Sequence, residues 1–121
     1  MGVMTVWPEN LLSALRLGRR LVAEVPAASG RRAFVDITPV TDARDRQAEQ
    51  EGWQRSDPGR AFRVQHWDYD ERAIDGWDYD VGARLVRSAR PESEDALLAL
   101  IASWGLSPTD FAYPWDTADP R

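Results

Sequence analysis

Apolar residues recur along this chain with two periods, and the switches between them outline its elements. After Trp7-Pro8-Glu9, the residues Leu11, Leu12 and Leu15 form a helical stripe. Pro8 stands where a missing N–H does no harm, Glu9 faces the positive end of the dipole, and Gly18 supplies the stop. From Arg19 to Val25 the period becomes two, with Leu21, Ala23 and Val25 set against Arg20, Val22 and Glu24. Pro26 to Gly30 is a turn cluster, and Arg31 to Val40 reads as a second strand that closes a hairpin and ends near Pro39.

Thr41 to Glu51 is nearly all polar, with only Ala43 and Ala48 apolar. A surface helix ended by Gly52 and pinned by Trp53, or a polar loop, both satisfy it. Gln54 to Arg60 is a turn. Ala61 to Tyr69 and Trp77 to Ser88 read as a third and a fourth strand joined through Asp75-Gly76, a two-residue hairpin signal. Pro91 to Trp104 is the most regular helix, with Leu97, Leu100, Ile101 and Trp104 on one face and Gly105 after it. Ser107 to Asp110 begins a short helical turn.

The fold class expected is α+β: a small antiparallel sheet of about four strands in two hairpins, with helices packed on one face. A chain of 121 residues is one domain's worth. A single domain over residues 1–121 is expected, with 107–121 as an extended tail carrying Phe111, Tyr113 and Trp115.

Composition narrows the chemistry. Cysteine is absent, which removes disulfides, thiolate nucleophiles and cysteine-bound metal sites, and fits a reducing compartment. All 15 basic residues are arginine, so Schiff-base and phosphate-loop lysines are excluded. Neither a secretory signal nor an apolar run long enough to span a bilayer is present. A cytoplasmic protein with no membrane contact is the expectation. The net charge of −5 disfavours nucleic acid, whose affinity rests on phosphate contacts from basic side chains, and favours a basic partner.

That charge is concentrated. Between Gln65 and Asp80 stand Asp68, Asp70, Glu71, Asp75, Asp78 and Asp80 against Arg72 alone, and the tetrapeptide WDYD occurs there twice. A hairpin turning at Asp75-Gly76 would set Trp67 opposite Arg84 and Tyr69 opposite Gly82. Phe62, Val64, His66, Ile74, Trp77, Tyr79, Val81, Ala83 and Leu85 would then face the core. Gln65, Trp67, Tyr69, Glu71, Asp78, Asp80 and Arg84 would face water, and two large aromatics among carboxylates on such a face suit a binding surface. The structural alternative packs Trp67 on Arg84 across the strands.

Catalytic signals are sparse. His66 is the only histidine, and it shares a strand face with Asp68, which could orient its ring. The acids do not match a calcium loop: counted from Asp68, Ala73 stands at the required glycine and Tyr79 at the bidentate glutamate. No metal site and no cofactor are expected. The reading that follows is a non-catalytic, bacterial protein-binding domain of the inhibitor, antitoxin or immunity type. Its acidic aromatic hairpin would cap a basic site on a partner through Trp67, Tyr69, Glu71, Asp78, Asp80 and Arg84. The alternative is a small enzyme with a pocket at His66 and Asp68 acting on a cationic or polyhydroxylated small molecule. A homodimer stays open.

Overall fold

The computed structural model of the chain describes residues 6–74 and 82–120. Helix α1 (Glu9–Arg16) leads into β1 (Leu21–Val25) and β2 (Arg31–Pro39), then α2 (Ala43–Gln50), β3 (Phe62–Asp70), β4 (Arg84–Ala89) and α3 (Glu94–Ser103). Short 3-10 turns occupy Glu71–Ala73, Pro108–Asp110 and Pro114–Asp116. The strands form one antiparallel sheet in the order β1-β2-β3-β4, so the expected α+β architecture is the one observed.

One face of the sheet packs against α1 and α3. Leu21 and Ala23 from β1, Val35 and Ile37 from β2, and Phe62 and Val64 from β3 meet Leu11 and Leu15 of α1 and Leu97 and Ile101 of α3. Period two on the strands and period 3.6 on the helices bring these side chains to one interface. Leu100 and Trp104, expected on the same stripe as Leu97, pack only at its margin. The helix α3 starts at Glu94 rather than at Pro91, because Ser93 turns its hydroxyl onto the backbone N–H of Ala96 and caps it.

The second face has a core of its own. Val22, Phe34, Tyr69 and Ile74 form a buried cluster there, with Trp67, Ala83 and Ala118 against it. Its cover is nonlocal: the turn after β3 brings Ile74, and the C-terminal tail brings Ala118. The tail starts on the helical side, where Phe111 lies against Trp7 with ring centroids 5.8 Å apart. Ala112 then exchanges two backbone hydrogen bonds with Val22, at 2.8 and 2.9 Å, and Asp119 pairs with Arg20 on the far side. The tail therefore wraps the β1 edge.

The loops at the opposite end of the sheet are organised by Arg60, whose side chain is 2% exposed. Its Nε donates to the Arg16 carbonyl at 2.8 Å, Nη1 to the Val40 carbonyl at 3.1 Å and Asp45 Oδ2 at 2.9 Å, and Nη2 to the Arg55 carbonyl at 3.0 Å and to Asp45 Oδ1. All five guanidinium N–H groups are satisfied. Asp45 in turn accepts the Asp42 backbone N–H while Asp42 accepts that of Asp45, a capping box that starts α2. Within the segment 41–52, Ala43–Gln50 is thus a helix, held by a cap and an ion pair rather than by an apolar stripe. Arg60 holds the Asp45 carboxyl well below the usual carboxylate range, so this contribution is complete above the ordinary carboxylate pKa and is lost as pH falls through the lowered one.

Two expectations for the second hairpin need correction. β3 ends at Asp70 and a 3-10 turn follows at Glu71–Ala73, while among the described residues β4 begins at Arg84, so the third strand does not run on to Ile74 and Gly82 is not part of the fourth. The expected turn dipeptide Asp75-Gly76, with Trp77, Asp78, Tyr79, Asp80 and Val81, lies outside the described residues. The register also differs: Trp67 pairs with Leu85 and Asp68 with Arg84, and beyond a shift at His66/Trp67 the next pair is His66 with Arg87. Val86 is the extra residue of that bulge. The one-residue difference turns Arg84 to the face of Asp68 and leaves Leu85 46% exposed.

Leu97→Ala is expected to lower unfolding free energy by about 2–5 kcal/mol, with Leu100→Ala costing clearly less; equal losses in urea titrations would contradict the assigned helix face. Arg60→Met should cost about 3–5 kcal/mol by stranding Asp45, and adding Asp45→Asn should restore part of it, a non-additivity that a double-mutant cycle reads directly.

Candidate functional site

The acidic segment rises from a base built on Asp68. Its carboxylate is nearly buried, with 13% of the side chain exposed, and lies between two guanidiniums. Arg84 binds it in fork geometry, Nε to Oδ1 at 3.0 Å and Nη2 to Oδ2 at 2.8 Å. Arg31 donates Nε to Oδ1 at 2.9 Å, with Nη2 on the same oxygen. These bonds, those of Arg84 foremost and then those of Arg31, hold the Asp68 carboxyl below its ordinary range.

Arg31 does more than neutralise Asp68. Its Nη2 also donates to the backbone carbonyl of Gly82, just before β4, and to that of Asp68 at 3.3 Å. One side chain from β2 therefore ties together the end of β3 and the approach to β4. The Glu71 N–H adds a 3.0 Å bond to the Gly30 carbonyl in the β1–β2 turn, and the Asp70 carboxylate caps the Arg72 N–H at 3.0 Å. Glu71 is exposed and Asp70 partly so.

The aromatics stand differently from expectation. Tyr69 is fully buried, 0% exposed, with its ring 6.1 Å from Phe34 and 6.5 Å from Trp67. It is part of the second core and not a contact residue, because Ile74 and Ala118 cover a face that the strand pattern alone leaves open. Trp67 is half-buried, and its Nε1 donates to Gln65 Oε1 at 3.2 Å. Arg84 lies across from Asp68 and holds it, which displaces the expected Trp67–Arg84 pair.

His66 and Asp68 share the helical face, as anticipated, yet no hydrogen bond joins them among the described residues. The Nδ1 of His66 instead accepts from Arg87 Nε at 3.1 Å, and the Arg87 guanidinium lies 4.2 Å from the ring centroid of Trp104. Burial, followed by the charge of Arg87, lowers the His66 pKa, and Asp68 opposes them. The neutral imidazole is the form that fits, since Nδ1 must be unprotonated to accept. The sequence reading missed Arg31, Arg87 and Trp104. Alternation along β2 could have placed Arg31 beside Asp68, but only with the register known.

Among the described residues no group of three or more His, Asp and Glu is arranged to hold a metal ion, and no helix is long and apolar enough to cross a membrane. No protein-family model matches the chain, no curated protein matches it, and no solved structure matches it. The reading of the site rests on its geometry.

The His66–Arg87 contact has a pH signature. The lowered pKa means that its stability is present above the ordinary imidazole range and is lost as pH falls through the folded-state value. The urea midpoint is expected to drop between about pH 7 and pH 5 in the natural sequence, and to drop less in His66→Asn, whose side-chain oxygen accepts at every pH. Identical pH profiles would show that Arg87 does not sense this ring.

Proposed function

We propose that this chain is a non-catalytic protein-binding domain of the inhibitor, antitoxin or immunity type, which uses the acidic β3–β4 connection to cap a basic site on a partner protein. The observation that carries this reading is the arginine clamp at the base of the connection. Arg31 and Arg84 absorb the nearly buried carboxylate of Asp68 at the end of β3, and Arg31 fixes both ends of the segment. Beyond the clamp, residues 70–80 contain five acids, Asp70, Glu71, Asp75, Asp78 and Asp80, and one base, Arg72. The excess charge therefore begins where the rigid sheet stops, and a surface of one sign steers an oppositely charged partner.

The contact set is Glu71, Asp70, Asp78 and Asp80, with Trp67 at its border and without Tyr69. Arg84 serves it indirectly, as the clamp on Asp68. The enzyme reading at His66 and Asp68 draws less support, because Nδ1 of the one and both oxygens of the other are already engaged by arginines. A cytoplasmic, reducing setting agrees with the absence of cysteine.

An oligo-arginine peptide is a defined probe of this surface. Amide shifts on titration should concentrate at residues 70–74 and 82–84 and should weaken as salt rises, since exposed charges are screened over about 8 Å at physiological ionic strength. Combining Glu71→Gln, Asp78→Asn and Asp80→Asn should lower the association rate by about tenfold or more with little change in melting temperature. Shifts centred elsewhere, or binding that ignores both salt and the triple substitution, would remove the acidic connection as the working surface.

A further inference from the structure

A cleft lies at the other end of the sheet, independent of the acidic connection. β2 runs from Arg31 at the clamp to Pro39 beside this region, a distance of about 26 Å at the usual strand rise. Between the C-terminal ends of α1 and α2 opens a cleft of about 420 Å³, within the range of small-molecule sites.

Its lining divides into fixed and free charges. Asp45 and Arg55 line it, and both belong to the network around Arg60. Asp45 bonds Arg60 through both oxygens, and Arg55 donates Nη2 to Asp57 at 2.7 Å and Nη1 to Asp45 at 3.4 Å. They form a neutralised, rigid wall. Two further lining charges are loose. Arg19 is exposed and reaches Gln54 Oε1 at 3.4 Å, a long contact. Glu49 is exposed, and its carboxylate bonds to none of the described residues.

The remaining wall is aromatic and held in place. Trp53 is 51% exposed, but its backbone N–H is bonded to the Ala48 carbonyl at 3.0 Å and its Nε1 to Glu51 Oε2 at 2.9 Å. The indole donor is thus satisfied within the loop, and the ring is left as an apolar surface. Gly52, at φ +83, has nothing within 4 Å of the position a Cβ would take, so no side chain at that residue narrows the cleft.

We propose that this cleft binds a free α-amino acid with an apolar or aromatic side chain. The carboxylate pairs with the Arg19 guanidinium, whose planar fork suits it. The ammonium pairs with the Glu49 carboxylate, which no other described residue engages. The side chain lies against Trp53. One loose charge of each sign beside a fixed aromatic wall complements a zwitterion better than it complements either ion alone.

L-phenylalanine is the first probe, followed through the Trp53 indole N–H resonance, which Trp53→Phe identifies. A saturable shift is expected. 3-Phenylpropanoate, lacking the ammonium, and phenethylamine, lacking the carboxylate, should each bind about tenfold or more weakly, as loss of a hydrogen bond to a charged group requires. Arg19→Gln should abolish the advantage of L-phenylalanine over phenethylamine, and Glu49→Gln its advantage over 3-phenylpropanoate. Both sites are exposed, and unchanged melting temperatures check that the fold is intact. The proposal is overturned if phenylalanine, tryptophan and leucine give no saturable shift up to about 10 mM, the limit of weak specific affinity. It is equally overturned if the two analogues bind as well as the amino acid, which would reduce the contact to unspecific stacking on Trp53.

Discussion

The buried guanidinium of Arg60 is the interaction on which the loop end of this domain depends. A charged group almost wholly removed from water is tolerated only when its donors are all met, and here five acceptors from four separate segments meet them. The end of α1, the end of β2, the start of α2 and the loop before β3 are thereby fixed relative to one another. The helix α2 illustrates the dependence, since among its residues only Ala48 is buried. Its place comes from Asp45, which serves the helix as a cap and Arg60 as a counterion at once.

At the other end of the sheet the same device recurs with the signs exchanged. Asp68 is the nearly buried charge, and Arg31 and Arg84 surround it. Both ends of the molecule are thus closed by arginine–aspartate networks, while aliphatic and aromatic packing holds the middle. This division suits a protein whose loops must keep a defined shape without a large apolar interior to anchor them. Geometry of this kind is specific because a planar fork accepts few arrangements.

The helices α1 and α3 and the first hairpin were legible because their signals are local: a leucine stripe with a glycine stop, and alternation on either side of a turn cluster. The second hairpin was legible in its strands but not in register, because the extra residue at Val86 leaves no mark in an alternating pattern. Tyr69 was misplaced for a different reason. Its strand face reads as open to water, and the residues that cover it, Ile74 and Ala118, come from outside the strand and in one case from nearly fifty positions away. The role of Arg60 was hidden within a segment that reads as an ordinary turn. A signal for α2 was present in the spacing of Asp42 and Asp45, where each can cap the other's backbone. In the acidic segment, the concentration of charge was plain from composition, whereas the clamp that supports it required three-dimensional neighbours.

The tail that wraps the β1 edge has a consequence for how the chain matures. Phe111 completes the packing on one side of the sheet and Ala118 on the other, so neither layer is finished until the last of these residues is available. During vectorial synthesis the N-terminal helix and first hairpin emerge early, with their apolar surfaces only partly covered. The nascent domain must therefore wait for its own tail, and until then it presents two unfinished apolar faces, the kind of surface through which partly folded chains aggregate.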